Sequence, residues 1–155
     1  MSTLTFSKVK AAGSQLDSAI KLFFENGDPI SIITLSGASD EISGCFCDSK
    51  WVGSKNSTNM FSMMLDLSKK AISPSLSKVD LSQNFVNRVR NWSKHADADR
   101  GESISFDSEQ VTFSIVVALA SYQLAFGEGS FSESMKEFEL WFRTNRPSYL
   151  RPLEA

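Results

Sequence analysis

The chain reads as an all-α protein, a single-domain bundle of about six helices. Three observations predict this. Apolar residues recur at three- and four-residue spacings in one segment after another. Capping and stop residues such as Asp28, Asp107, Gly27 and Gly127 stand where those periodic segments begin and end. Two-residue alternation is nowhere long enough to build a sheet, and no internal repeat is visible.

At 155 residues, with 41% hydrophobic and 22% charged side chains, residues 1–155 suit one folded domain and leave little room for long disorder. The net charge of -2 and pI of about 5.4 exclude a global cationic field that would gather nucleic acid or anionic membrane. Any RNA site is therefore a local patch. Cys45 and Cys47 are separated by one residue, a poor geometry for a disulfide, and no second cysteine pair completes a metal site. They read as small residues near a helix end in a reducing compartment. The first ten residues lack the apolar core of a signal peptide, and no apolar run approaches the roughly 18 residues of a membrane span. A cytoplasmic location without membrane contact is expected.

The first helix is expected over residues 7–26, with Ser7 as N-cap and a stripe of Val9, Ala12, Leu16, Ile20 and Phe23. Gly27 suits its C′ position, Asp28 the next N-cap and Pro29 the first turn of a second helix. That helix should end near Cys45 and bury Ile32, Leu35, Ala38, Ile42 and Cys45, with Ser36, Gly37 and Ala38 small enough for close approach. A loop over residues 47–59 follows, then a Met-rich helix over 59–71 whose Met60, Met63 and Met64 read as adaptable core. After a second loop over 73–78, Asp80 or Ser82 caps a helix reaching to about His95, with Leu81, Phe85, Val89 and Trp92 as its apolar seam. Ile104 and Phe106 pin the next connection to the body as a short extended segment. Asp107 and Gln110 form a capping box that opens the most apolar helix, residues 108–126, the expected centre of the bundle. Ser130 and Glu133 form another such pair ahead of a last helix carrying Phe131, Met135, Phe138, Trp141 and Phe142. Beyond Asn145, Pro147 and Pro152 predict an irregular tail.

The chemistry concentrates at residues 84–100, which hold His95, the single histidine of the chain. An imidazole titrates near neutrality and can take or give a proton at physiological pH. Arg90 offers a permanently charged planar fork that suits phosphate oxygens, and Arg88 and Lys94 add cationic character. Between residues 76 and 100, Lys78, Arg88, Arg90, Lys94 and Arg100 outnumber Asp80, Asp97 and Asp99, a local excess of positive charge in an acidic chain. On an ideal helix, positions 91 and 95 share a face, whereas 90 and 95 stand roughly 140° apart. Either the helix frays near Ser93, or the Arg90 side chain wraps round, or the second charge comes from another subunit.

Arg90 and Asn91 followed by His95 resemble the R-x4-6-H motif of HEPN domains, all-α modules of many bacterial toxin ribonucleases, in which a polar residue often follows the Arg. The resemblance implies a HEPN-like helical bundle of about six helices, paired as a homodimer with the two motifs at one interface. It also implies RNA cleavage without metal or cofactor, and an antitoxin partner. On this basis Arg90, Asn91 and His95 are the candidate catalytic residues and Arg88 and Lys94 the candidate phosphate or RNA ligands. Residues 15–42, together with 90–97, are also similar to a group of uncharacterised bacterial proteins in which a His is common where Ile33 stands here. The resemblance is equally compatible with a non-catalytic HEPN-like module that binds nucleotide, RNA or protein. Composition alone adds a third reading, a small-molecule pocket beneath the Met-rich helix.

Overall fold

The structure, a computed structural model, describes residues 1–51, 89, 92–93 and 103–146. Among these residues all regular secondary structure is helical. Four α-helices are present: α1 (Lys8–Phe24), α2 (Pro29–Trp51), α3 (Ser108–Phe126) and α4 (Glu133–Asn145), with a 3-10 turn at Glu128–Ser130 between the last two. No strand occurs among the described residues. The expected Met-rich helix over 59–71, the loop over 73–78 and the tail beyond Arg146 lie outside them.

α1 begins where the sequence predicts. The Ser7 hydroxyl accepts from the Lys10 backbone N–H at 3.1 Å, satisfying one donor of the first turn. Ala12, Leu16, Ala19 and Ile20 are fully buried, whereas Val9 and Phe24 at the helix ends are exposed. Gly13 is buried beneath the Tyr122 ring, whose hydroxyl would stand 3.2 Å from an added Cβ. The helix propensity lost at Gly13 is thus exchanged for close packing on α3.

The α1–α2 corner differs from expectation by one residue. Asn26, not Gly27, adopts the left-handed conformation, with φ of 53°. The Asn26 N–H donates to the Phe23 carbonyl at 3.2 Å and the Gly27 N–H to the Leu22 carbonyl at 2.7 Å, the paired bonds of a Schellman ending. Gly27 is required for a different reason. A Cβ there would stand 2.9 Å from Leu22 Cδ2 and 3.1 Å from the Leu22 carbonyl oxygen. Asp28 then caps α2 as expected, accepting from the Ser31 N–H at 2.7 Å and its hydroxyl at 2.6 Å. The Ser31 hydroxyl, then the Ser31 N–H, holds the Asp28 carboxyl below its ordinary pKa.

α2 departs from its expected course in two respects. It continues to Trp51, through residues read as a loop beyond Cys47. Its Ser, Gly and Cys content is poor in helix formers, so contact with neighbouring helices outweighs intrinsic propensity over this length. Its buried face is also rotated. Ile32, Ile33, Ser36, Gly37, Ser39, Asp40 and Ser43 are buried, whereas Leu35, Ala38 and Ile42 are half-buried and Cys45 is exposed. The centre of the buried sector therefore lies roughly 130° round the helix from the expected apolar stripe.

α3 has the start, end and central position the sequence predicts. Its capping box is complete, with the Asp107 N–H donating to Gln110 Oε1 at 2.8 Å. It ends at Gly127, where φ of 87° favours glycine. From Gln110 to Tyr122 nearly every residue is buried. α3 is apolar and long enough to cross a membrane by length and composition, which qualifies the sequence expectation, yet most of it is buried inside the bundle. Ile104 and Phe106 precede it in irregular backbone and pack against the core, as anticipated.

α4 starts two residues later than predicted from the Ser130 and Glu133 pair. Ser130 closes the 3-10 turn by donating to the Gly127 carbonyl, and Ser132 is the N-cap, accepting from the Met135 N–H at 3.2 Å. The Asp17 carboxylate accepts from Ser132 and Ser134, tying the start of α4 to α1. Further along, Phe23 of α1 meets Phe138 and Trp141 edge to face at 5.4 and 4.9 Å, so α1 and α4 run side by side in the same sense. Met135, Phe138 and Phe142 are buried. At the far end, Arg146 forms a bidentate ion pair with Glu109 at 2.7 and 3.0 Å and lies over the Trp141 ring. This joins the end of α4 to the first turn of α3.

Two tests follow from the corner and the cap. Gly27→Ala should lower stability by about 1–3 kcal/mol in urea unfolding, because the Leu22 carbonyl cannot recede without breaking the Schellman bond. The lowered pKa of Asp28 means that its stabilising contribution is present above the ordinary carboxylate range and is lost as pH falls through the lowered value. Asp28→Asn retains a capping oxygen but should remove that part of the acid dependence, read by helix circular dichroism during acid titration.

Candidate functional site

Arg88, Arg90, Asn91, Lys94 and His95 lie outside the described residues, so the geometry between them is not part of the structural account. Three residues threaded among them are described. Val89, Trp92 and Ser93 are helical, in keeping with the helix predicted to reach about His95. Val89 is fully buried and belongs to the same core cluster as Ile33, Val116 and Phe138. Trp92, three residues on and so on the same side of a helix, is half-buried, and Ser93 is exposed. Of the seam expected from the sequence, Val89 is therefore seated in the core, while Leu81 and Phe85 lie outside the described residues.

Ile33, where the bacterial relatives described above carry a His, is fully buried among apolar groups. In this chain the position is part of the core. An imidazole there would need a buried hydrogen-bond partner.

The described residues also hold a buried polar face that sequence reasoning missed. Asp40 on α2, 6% exposed, accepts a 2.5 Å hydrogen bond from the Ser121 hydroxyl of α3. Ser36, Ser39 and Ser43 are fully buried on the same side of α2, and their hydroxyl oxygens have no hydrogen-bond partner among the described residues. Buried hydroxyls are ordinarily paired, and each unpaired one costs free energy relative to water. Treating Ser36 as a spacer for close helix approach captured its size but not its consequence. A signal was present: Ile32, Ser36, Ser39 and Ser43 are spaced four, three and four residues apart, a core periodicity filled mostly by hydroxyls. Asp40, one position from Ser39, places a carboxylate at the edge of the same face.

Chemically, this face can accept and donate hydrogen bonds but has no cation among its described side chains. Cys45 is exposed and, among the described residues, belongs to no cluster of metal-ligating side chains. Compared with protein-family models, curated proteins and solved structures, the chain matches none.

The Asp40–Ser121 bond joins two helices through a charged acceptor in a buried setting. Ser121→Ala should therefore cost about 1.5–3 kcal/mol in equilibrium unfolding, well above the effect of the same change at the exposed Ser18. Equal effects at the two positions would show that the bond contributes nothing.

Proposed function

We propose that this chain is a homodimeric, metal-independent endoribonuclease of HEPN-like type, built on a bundle of about six helices. The observation that carries the reading is the Arg90–Asn91 pair followed by His95, on a segment whose Val89 is anchored in the core of an all-α body. Each chain supplies one histidine, so a site formed by two chains brings two imidazoles to one phosphodiester. A neutral His95 removes the proton of a ribose 2′-hydroxyl, and that oxygen attacks the adjacent phosphorus. Arg90 stabilises the extra negative charge of the phosphorane. As the bond to the 5′-oxygen breaks, the leaving oxygen takes a proton from the partner's imidazolium, and a 2′,3′-cyclic phosphate remains. Asn91 orients the reacting groups, while Arg88 and Lys94 hold flanking phosphates. Activity of this kind in a cell requires restraint, consistent with an antitoxin partner.

A second reading is favoured by the acidic balance of the chain. With pI about 5.4 and net charge -2, a HEPN-like module that binds nucleotide, RNA or protein without turnover needs only the local patch.

Incubation of the purified protein with single-stranded and structured RNA separates the two. Cleavage that persists in EDTA, yields 2′,3′-cyclic ends and falls by about 100-fold or more in His95→Ala and Arg90→Ala supports the nuclease. Binding without cleavage supports the module, and cleavage by His95→Ala at the wild-type rate would overturn the assigned chemistry.

A further inference from the structure

The α1–α2 corner carries a chemistry of its own. Asn26 and Gly27 form the one Asn–Gly pair in the chain. We infer that this pair is a site of spontaneous deamidation which the folded corner holds shut, so that modification proceeds only when the corner opens. The residues assigned to RNA cleavage take no part in it.

Two unrelated requirements bring the pair together. Position 26 turns left-handed, with φ of 53°, a conformation that asparagine adopts most readily after glycine. Position 27 lies against Leu22, where an added Cβ would stand 2.9 Å from Cδ2 and 3.1 Å from the carbonyl oxygen, so glycine is favoured there. In an unfolded chain the result is the most reactive setting for an asparagine, because no Cβ on the next residue hinders its backbone nitrogen. That nitrogen attacks the Asn26 Cγ, and the bond from Cγ to the side-chain nitrogen breaks. The side-chain nitrogen leaves as ammonia, carrying the proton released from the Gly27 amide. Solvent water then opens the five-membered imide at either carbonyl. The product is aspartate, or isoaspartate with a main chain one methylene longer.

The native corner opposes this step in two ways. A left-handed residue holds its Cβ beside its own carbonyl oxygen, which puts the Asn26 side chain on the far side of the Cα–C bond from the Gly27 nitrogen. Ring closure requires both on one side, a rotation of roughly half a turn about that bond. The Gly27 N–H, whose proton must leave, donates to the Leu22 carbonyl at 2.7 Å, and the rotation would withdraw it. Asn26 is exposed, so the protection comes from backbone geometry and not from burial. Once formed, the product weakens the corner. A carboxylate at position 26 stands at the C-terminal end of α1, where the helix dipole disfavours it, between Glu25 and Asp28. The methylene of isoaspartate also displaces the bonds that run from Asn26 and Gly27 to Phe23 and Leu22.

Incubation of the full chain in mildly alkaline buffer, with peptide mapping for loss of the Asn26 amide and for isoaspartate, tests this. Conversion at Asn26 should be at least about tenfold slower in the native protein than in denaturing urea. Through sub-denaturing urea it should rise in step with exchange of the Gly27 amide hydrogen, because both need Gly27 to leave the Leu22 carbonyl. After ageing in urea and refolding, the wild type should have a lower Tm than a fresh sample. Asn26→Gly, which suits the left-handed position but has no side-chain amide, should lose less. Equal native and unfolded rates overturn the inference, as does an Asn26 that stays intact in urea. A rate that does not follow Gly27 exchange overturns the role given to the Leu22 bond, and equal Tm losses in the two chains overturn the weakening of the corner.

Discussion

The contact between α2 and α3 is the most extensive one between described elements, and the positions of the other helices depend on how it is made. α3 can occupy the centre because nearly all its faces are covered, and α2 covers one of them with side chains no larger than Ile along its central line. Small residues bring the two backbones close, which gains dispersion contact over a long helix pair. The same choice buries hydroxyls and a carboxylate. Ser121 meets Asp40 across the interface, so one polar group is used to join the helices, while three others are left desolvated. The contact is therefore extensive in area but mixed in character.

Around it, α1 and α4 close the bundle by different means. The end of α1 and the middle of α4 interlock through Phe23, Phe138 and Trp141, an aromatic cluster whose edge-to-face geometry adds to simple burial. The start of α4 is fixed to α1 by the two serine bonds to Asp17, and its end to α3 by the Arg146–Glu109 pair. These polar ties stand at the rims of the core, where partial solvation lowers the cost of charge. The apolar cluster lies between them, and Val89 belongs to it.

Legibility in the sequence followed the physics of each element. α3 was readable because its capping box, apolar content and terminal glycine agree with one another. α1 was readable from Ser7 and a strong apolar stripe, although the left-handed residue at its end proved to be Asn26, since Gly27 is reserved for its close approach to Leu22. α2 misled because hydrophobicity is a poor guide when close packing selects small residues: Leu35 and Ile42 mark the flank of the buried face and the serines mark its middle. For the candidate site, the chemical identities of Arg90, Asn91 and His95 are written in the chain. Their mutual distances are not, because positions 90 and 95 diverge on an ideal helix and a paired site depends on a second chain.

The sequence by itself determined the helical class and the ends of α1 and α3 to within a residue or two. These are properties of local spacing and of single functional groups. Only the tertiary structure decided which face of α2 is buried, that Ser132 rather than Ser130 caps α4, and that Ile33 and Val89 are core. Each of these depends on a competition between burial and hydration at contacts far apart in the chain, as Asp40 and Ser121 show, and no local pattern contains the outcome. For the stretch around His95, the identity of each side chain is a local property, whereas any assembly of them into a site is not.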